Sequence, residues 1–98
     1  MGMELVVHSS HVVFPQLLTA LAARGLNGLV AMVDGQLQPM GATVPEAWRD
    51  VRLRFPVGTV TLTRRPDGVA VVVFGNADAG LQDAQRLVAE VLQGPVRV

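Results

Sequence analysis

The chain has 98 residues, half of them hydrophobic and 16% charged, and its eight acidic and eight basic side chains leave a formal net charge of zero. That length holds one domain, 1–98, and that apolar share excludes a disordered chain, which cannot bury enough surface to offset its ordering entropy. Balanced charge argues against a nucleic-acid binder, which carries surplus Lys and Arg for phosphate, and zero cysteines exclude a disulfide framework and thiolate metal sites and fit a reducing cytoplasm.

Met3 to Val7 is short and apolar, a predicted strand. His8-Ser9-Ser10-His11 breaks it. Pro15 then sits where a first helical turn accepts it. Phe14, Leu17, Leu18 and Leu21 follow the i, i+3, i+4, i+7 rule of an amphipathic helix, which Gly25 ends and Leu26 packs back upon. Leu29 to Val33 is a second strand. Asp34-Gly35 is a favoured pair for a two-residue hairpin, since both positions tolerate positive φ. Gln36 to Met40 returns as a half-exposed strand. In the irregular stretch Gly41 to Trp48, Pro45 and Glu46 suit one short helical turn, led by Thr43 or Val44, with Trp48 over the core.

Asp50 to Phe55 alternates. Val51, Leu53 and Phe55 point one way and Asp50, Arg52 and Arg54 the other. Pro56 ends that strand. Thr59 to Arg64 alternates too, with Val60 and Leu62 inward and the threonines outward. Pro66-Asp67-Gly68 is a turn, because Pro presets φ and Gly supplies the left-handed position. Val69 to Phe74 is an unbroken apolar run, predicting a strand covered on both faces. Asn76 or Asp78 can cap the helix that follows. Leu81, Ala84, Leu87, Val88, Val91 and Leu92 form its apolar stripe. Gln82, Asp83, Gln85, Arg86, Glu90 and Gln93 fall opposite. Leu87, Val88 and Val91 are expected against the strand Val69 to Phe74. Gly94-Pro95 is a stop, and Val96 to Val98 allows a last small strand. The order β-α-β-β-(short helix)-β-β-β-α predicts an α+β domain, a mostly antiparallel five- to six-stranded sheet with two main helices packed on it.

No apolar run reaches the roughly 18 residues that span a bilayer, so no membrane role is expected. The opening MGMELVV lacks the basic region of a secretory signal, and Val6 stands where myristoylation of Gly2 needs Ser or Thr. All eight basic residues are Arg, which reads as coding bias.

Few constellations carry chemistry. His8-x-x-His11 has ligand-type side chains three apart, but they straddle a strand end and a helix start with no third ligand nearby. They read as boundary residues, with Ser9 or Ser10 capping and no structural metal. A serine with a histidine suggests a nucleophile and base, yet nothing supplies an oxyanion site. Arg49, Arg52, Arg54, Arg64 and Arg65 suggest a basic strip on the outer sheet face, fit for phosphate or an acidic partner, or a solvated face that discourages edge pairing. The corner Gly75 to Gly80 precedes a helix N-terminus but has neither the spacing nor the Lys of a P-loop. No catalytic, cofactor or metal residue is assigned. A homodimer is expected, joined through a sheet edge or an exposed helix face; at an edge, the strand Asp50 to Phe55 would pair with its twofold copy, Arg52 and Arg54 facing Asp50 across the axis. Asp50, Arg52, Arg54 and Trp48 are therefore the candidate interface residues, with Trp48 in the core or at that interface.

Two segments resemble the Roadblock/LC7 family, small domains close to the profilin-like fold. GLNGLVAMVDGQLQPMG, Gly25 to Gly41, with the helix before it, is similar to the family's helix, Gly, strand, Asp-Gly turn and return strand. VAVVVFGNADAGLQDAQRLVAEVL, Val69 to Leu92, resembles its last strand, its small-Asp-small-Gly-Leu corner and its closing helix. The chain departs from the pattern in its short middle segment, where the family has a full helix, and in the added strand Met3 to Val7. The resemblance implies a non-catalytic scaffold that homodimerises and binds a protein partner, a small Ras-like GTPase or motor and polarity machinery; no cofactor is expected, and the absence of cysteine fits the cytoplasm. A second reading is a small-molecule sensor with a ferredoxin-like core, similar to PII-like regulators, holding an anionic ligand on arginines. Topology separates them. The scaffold needs a five-strand meander with a tight Asp34-Gly35 hairpin, the sensor two β-α-β crossovers.

Overall fold

The computed structural model describes residues 3–8, 12–39, 43–75 and 78–93. Six strands and two helices follow in the order β1 (Met3–Val7), α1 (Phe14–Ala23), β2 (Leu29–Val33), β3 (Gln36–Leu37), β4 (Asp50–Phe55), β5 (Gly58–Arg65), β6 (Gly68–Val73) and α2 (Ala79–Gln93). They form the expected α+β domain, a single sheet in the order β1-β6-β5-β4-β2-β3 in which each neighbouring pair is antiparallel. The possible caps Ser9, Ser10 and Asn76, the ring of His11, the stop at Gly94-Pro95 and the small strand Val96 to Val98 lie outside the described residues.

Alternation builds the core. Val51, Leu53 and Phe55 of β4, Val60 and Leu62 of β5, and Val69, Val71 and Val73 of β6 share one face with Val7. Phe14, Leu17 and Leu21 of α1 and Ala84, Val88 and Ala89 of α2 close the same cluster. Trp48 is only 2% exposed and meets the Phe14 ring edge-on at 5.3 Å between centroids. It belongs to the core and offers no surface to a partner.

Every residue of β6 is buried, although both helices lie on one face. The other face is partly covered by an ion pair. Arg65 of β5 donates to Glu4 of β1 at 2.7 Å. The strand between them is β6, so the pair crosses its outer surface, where Ala70 is fully buried. Phe74, expected within this run, lies beyond the strand and is 62% exposed.

Local chemistry sets the element ends. Helix α1 closes with bonds from Leu26 N–H to Leu21 O and from Gly25 N–H to Ala22 O, the pattern of a Schellman cap. Helix α2 starts at Asp78, whose Oδ1 accepts the Leu81 N–H at 2.9 Å. Its buried stripe is rotated from the expected one. Val88 is fully buried, but Leu87 and Val91 are half-buried, and Gln85, assigned to the polar side, is 2% exposed. Gln85 Nε2 donates to the Val71 carbonyl at 2.9 Å, so its polar end is satisfied inside. The middle segment holds one turn, Trp48 N–H to Pro45 O at 3.2 Å, instead of the short helix.

Asp34 and Gly35 carry φ of 49° and 82° and join Val33 to Gln36, the expected tight hairpin. The neighbour of β4 differs from a plain meander. It pairs with β2, and β3 is turned outward to the edge. Asp34 explains this. Its Oδ1 accepts the N–H groups of Arg49 (2.8 Å) and Asp50 (2.9 Å), and its own N–H donates to Asp50 O. The start of β4 is thereby fastened to the end of β2. Consequently β4 is an interior strand, paired on both sides. The expected edge pairing of Asp50 to Phe55 with a second copy is excluded, because its backbone groups are already engaged. Among the described residues the free edges are β1 and the two-residue β3. The described residues contain one β-α-β crossover, β1-α1-β2; β3 and β4, both antiparallel to β2, run parallel on either side of it and are joined with no helix among the described residues.

Candidate functional site

The sheet face away from the helices carries the distinctive chemistry. The alternation of β4 puts Asp50, Arg52 and Arg54 on it, all exposed. Register lines Arg52 up with Met32, Thr61, Val72 and Glu4, and Arg54 with Leu29 and Thr59. A bulge in β2 between Val30 and Met32 sets Ala31 beside Met32, and bulges bend a strand and re-aim side chains. A shallow depression of about 310 Å³ results, with Arg52, Arg54, Thr59 and Thr61 in its lining and Leu37 and Phe74 among its apolar members.

The arginine strip expected from sequence is divided by this geometry. Arg64 faces the other way, its guanidinium 4.4 Å from the Trp48 ring centroid, a cation–π contact that helps close the core. Its Nε is buried without a hydrogen-bond partner. Arg65 is engaged by Glu4. Asp50 accepts the Thr63 hydroxyl at 2.7 Å. Arg52 has only a 3.8 Å contact from Nη1 to the Met32 sulfur, and Arg54 has no carboxylate partner among the described residues. Two guanidinium groups thus share the depression uncompensated.

The remaining candidates take structural roles. His8 Nδ1 and the Asp67 carbonyl oxygen lie 3.2 Å apart, tying the end of β1 to the β5–β6 turn. No group of three metal-capable side chains occurs among the described residues. At the Gly75 to Gly80 corner, Asp78 occupies one of the helix N–H groups an anion would need. The Asp34 carboxyl is held below its ordinary value of 3.8 by the backbone N–H of Asp50, then by that of Arg49, with the charges of Arg49 and Arg64 adding to them against desolvation. It is a fastener and not a general base. Sequence reading missed the apolar side of the depression. The pattern predicts a half-exposed Leu37 and a buried Phe74, and they are 78% and 62% exposed. The residue after Phe74 is a glycine, a signal that the strand had ended.

No helix of the described residues is long and apolar enough to cross a membrane. The chain matches no family model, no curated protein and no solved structure.

Proposed function

We propose that this chain is a non-catalytic, homodimeric, cytoplasmic scaffold of Roadblock/LC7 type that binds a protein partner such as a small Ras-like GTPase. The carrying observation is the edge of β1, whose outer side no described residue pairs. Five residues pair with β6 on one side only, and Leu5 and Val6 are 37% and 39% exposed. Unpaired strand edges template further pairing, and a twofold copy is the commonest closed solution. In their described residues the two segments that carry the resemblance hold a helix, a strand and a tight hairpin in one, and a strand and an Asp78-capped helix in the other, which supports the reading. The outward turn of β3 departs from the simple meander, so the dimer is assigned to β1 and not to the middle strands. Light scattering at micromolar concentration tests the reading. A dimer mass is expected, and a monomer mass would remove it.

The uncompensated pair Arg52 and Arg54 favours a second reading, a sensor for an anionic small molecule. Thermal shift against nucleotides tests that one. A rise of several degrees with one nucleotide supports it, and a flat profile discards it.

A further inference from the structure

We infer that the depression around Arg52 and Arg54 is the docking site for a short acidic segment of a partner protein, one that carries aliphatic or aromatic side chains flanking its carboxylates on the same face. This inference rests on the scaffold reading and names the chemistry of its partner. The argument is charge complementarity beside exposed apolar surface. Arg52 and Arg54 are two strand positions apart on one face, about 7 Å at the usual rise. Each guanidinium can hold a carboxylate through two parallel N–H···O bonds. The nearby acids do not serve them: Glu4 is engaged by Arg65 and Asp50 by Thr63. Successive same-side residues of an extended peptide recur at the same spacing of about 7 Å, so carboxylates at i and i+2 meet both arginines. Leu37 at 78% exposure and Phe74 at 62% stand at the same depression. Apolar surface left in water beside cations is stabilised by a ligand that brings both carboxylates and apolar groups. A shallow site suits a segment laid across it better than an enclosed small molecule.

The test uses the whole chain and three capped, fluorescently labelled peptides followed by anisotropy. One carries Leu, Glu, Glu and Leu at successive same-face positions i−2, i, i+2 and i+4 with Ser between them, one replaces Glu by Lys, and one replaces Leu by Ala. Binding of the Glu/Leu peptide is expected, weakening as salt is raised. Both altered peptides are expected to bind at least about tenfold more weakly, as is the Glu/Leu peptide to the Arg52→Gln/Arg54→Gln double variant. Both positions are exposed, so the variant should keep its melting temperature, and its dimer mass should be unchanged. Four results overturn the inference: no binding of the Glu/Leu peptide; equal binding to the double variant; saturable binding of dodecyl phosphate but not of the peptide; or loss of the dimer in the double variant, which would make a second copy the occupant. Mass and anisotropy are separate readouts. A monomer that still binds the peptide through its arginines removes the scaffold reading and keeps the site.

Discussion

Asp34 does more for this fold than any other polar side chain described. It takes the positive φ of the hairpin and accepts two N–H groups at the start of β4. Because those donors lower its folded pKa, the stabilisation is fully present above the unfolded value near 3.8 and is lost as pH falls through the folded pKa. Asn tolerates the left-handed backbone but cannot ionise. Asp34→Asn should therefore lower the melting temperature at neutral pH, and the gap to the unmodified protein should narrow on acidification below about pH 4. An equal gap at all pH values would show that the charge contributes nothing. Gln85 teaches the opposite lesson about polarity. Helical spacing puts it opposite the apolar stripe, yet it lies inside and its Nε2 donates to the Val71 carbonyl. Gln85→Leu leaves that buried acceptor without this donor and should cost about 1–3 kcal/mol, read as a lower urea midpoint. No change would return Gln85 to the surface.

At the scale of elements, local pattern was legible and neighbourhood was not. The alternation of Val51, Leu53 and Phe55 predicts β4 to the residue, and Asp34-Gly35 predicts its hairpin. Period and turn chemistry are written in adjacent residues. Which strand lies beside β4 depends on Asp34 reaching fifteen residues ahead to Arg49, and no periodicity records that. The same limit applies to the candidate site. Arg52 and Arg54 could be placed on the outer face, but Leu37 and Phe74 come to it from separate strands through the fold. Contact between β1 and β6 depends on one glycine. A Cβ on Gly68 would stand 2.0 Å from the Val7 carbonyl oxygen, so Gly68→Ala forces the end of β1 away. Amide exchange should rise first in Met3 to Val7, with a lower melting temperature. Protection retained along β1 would refute this. In α2 the rotated stripe moves the expected cost of truncation. Val88→Ala should cost about 2 kcal/mol from two buried methyl groups and the cavity they leave, more than a truncation confined to the exposed side of half-buried Leu87.

At the scale of the molecule, the proposed dimer depends on which edges the sheet leaves open among the described residues. With β4 paired on both sides, it offers no edge to a second copy. Edge β3 has two residues, too few for a stable ladder with a copy, and edge β1 has five. Val6 points to the outer face beside Ala70, and 39% of it is exposed. In a twofold pairing along β1, the two copies of Val6 approach each other near the axis, where like charges are unfavourable. Lysine on an edge strand is also a means by which folded proteins prevent such pairing. Val6→Lys should therefore shift the light-scattering mass from dimer to monomer at micromolar concentration, with far-UV circular dichroism retained because the position is exposed. Leu37→Lys, at the opposite edge, should leave the dimer intact. If Leu37→Lys gives the monomer and Val6→Lys does not, the interface lies at β3 and the β1 assignment is wrong. If neither changes the mass, the copies meet through a helix face and no sheet edge is involved.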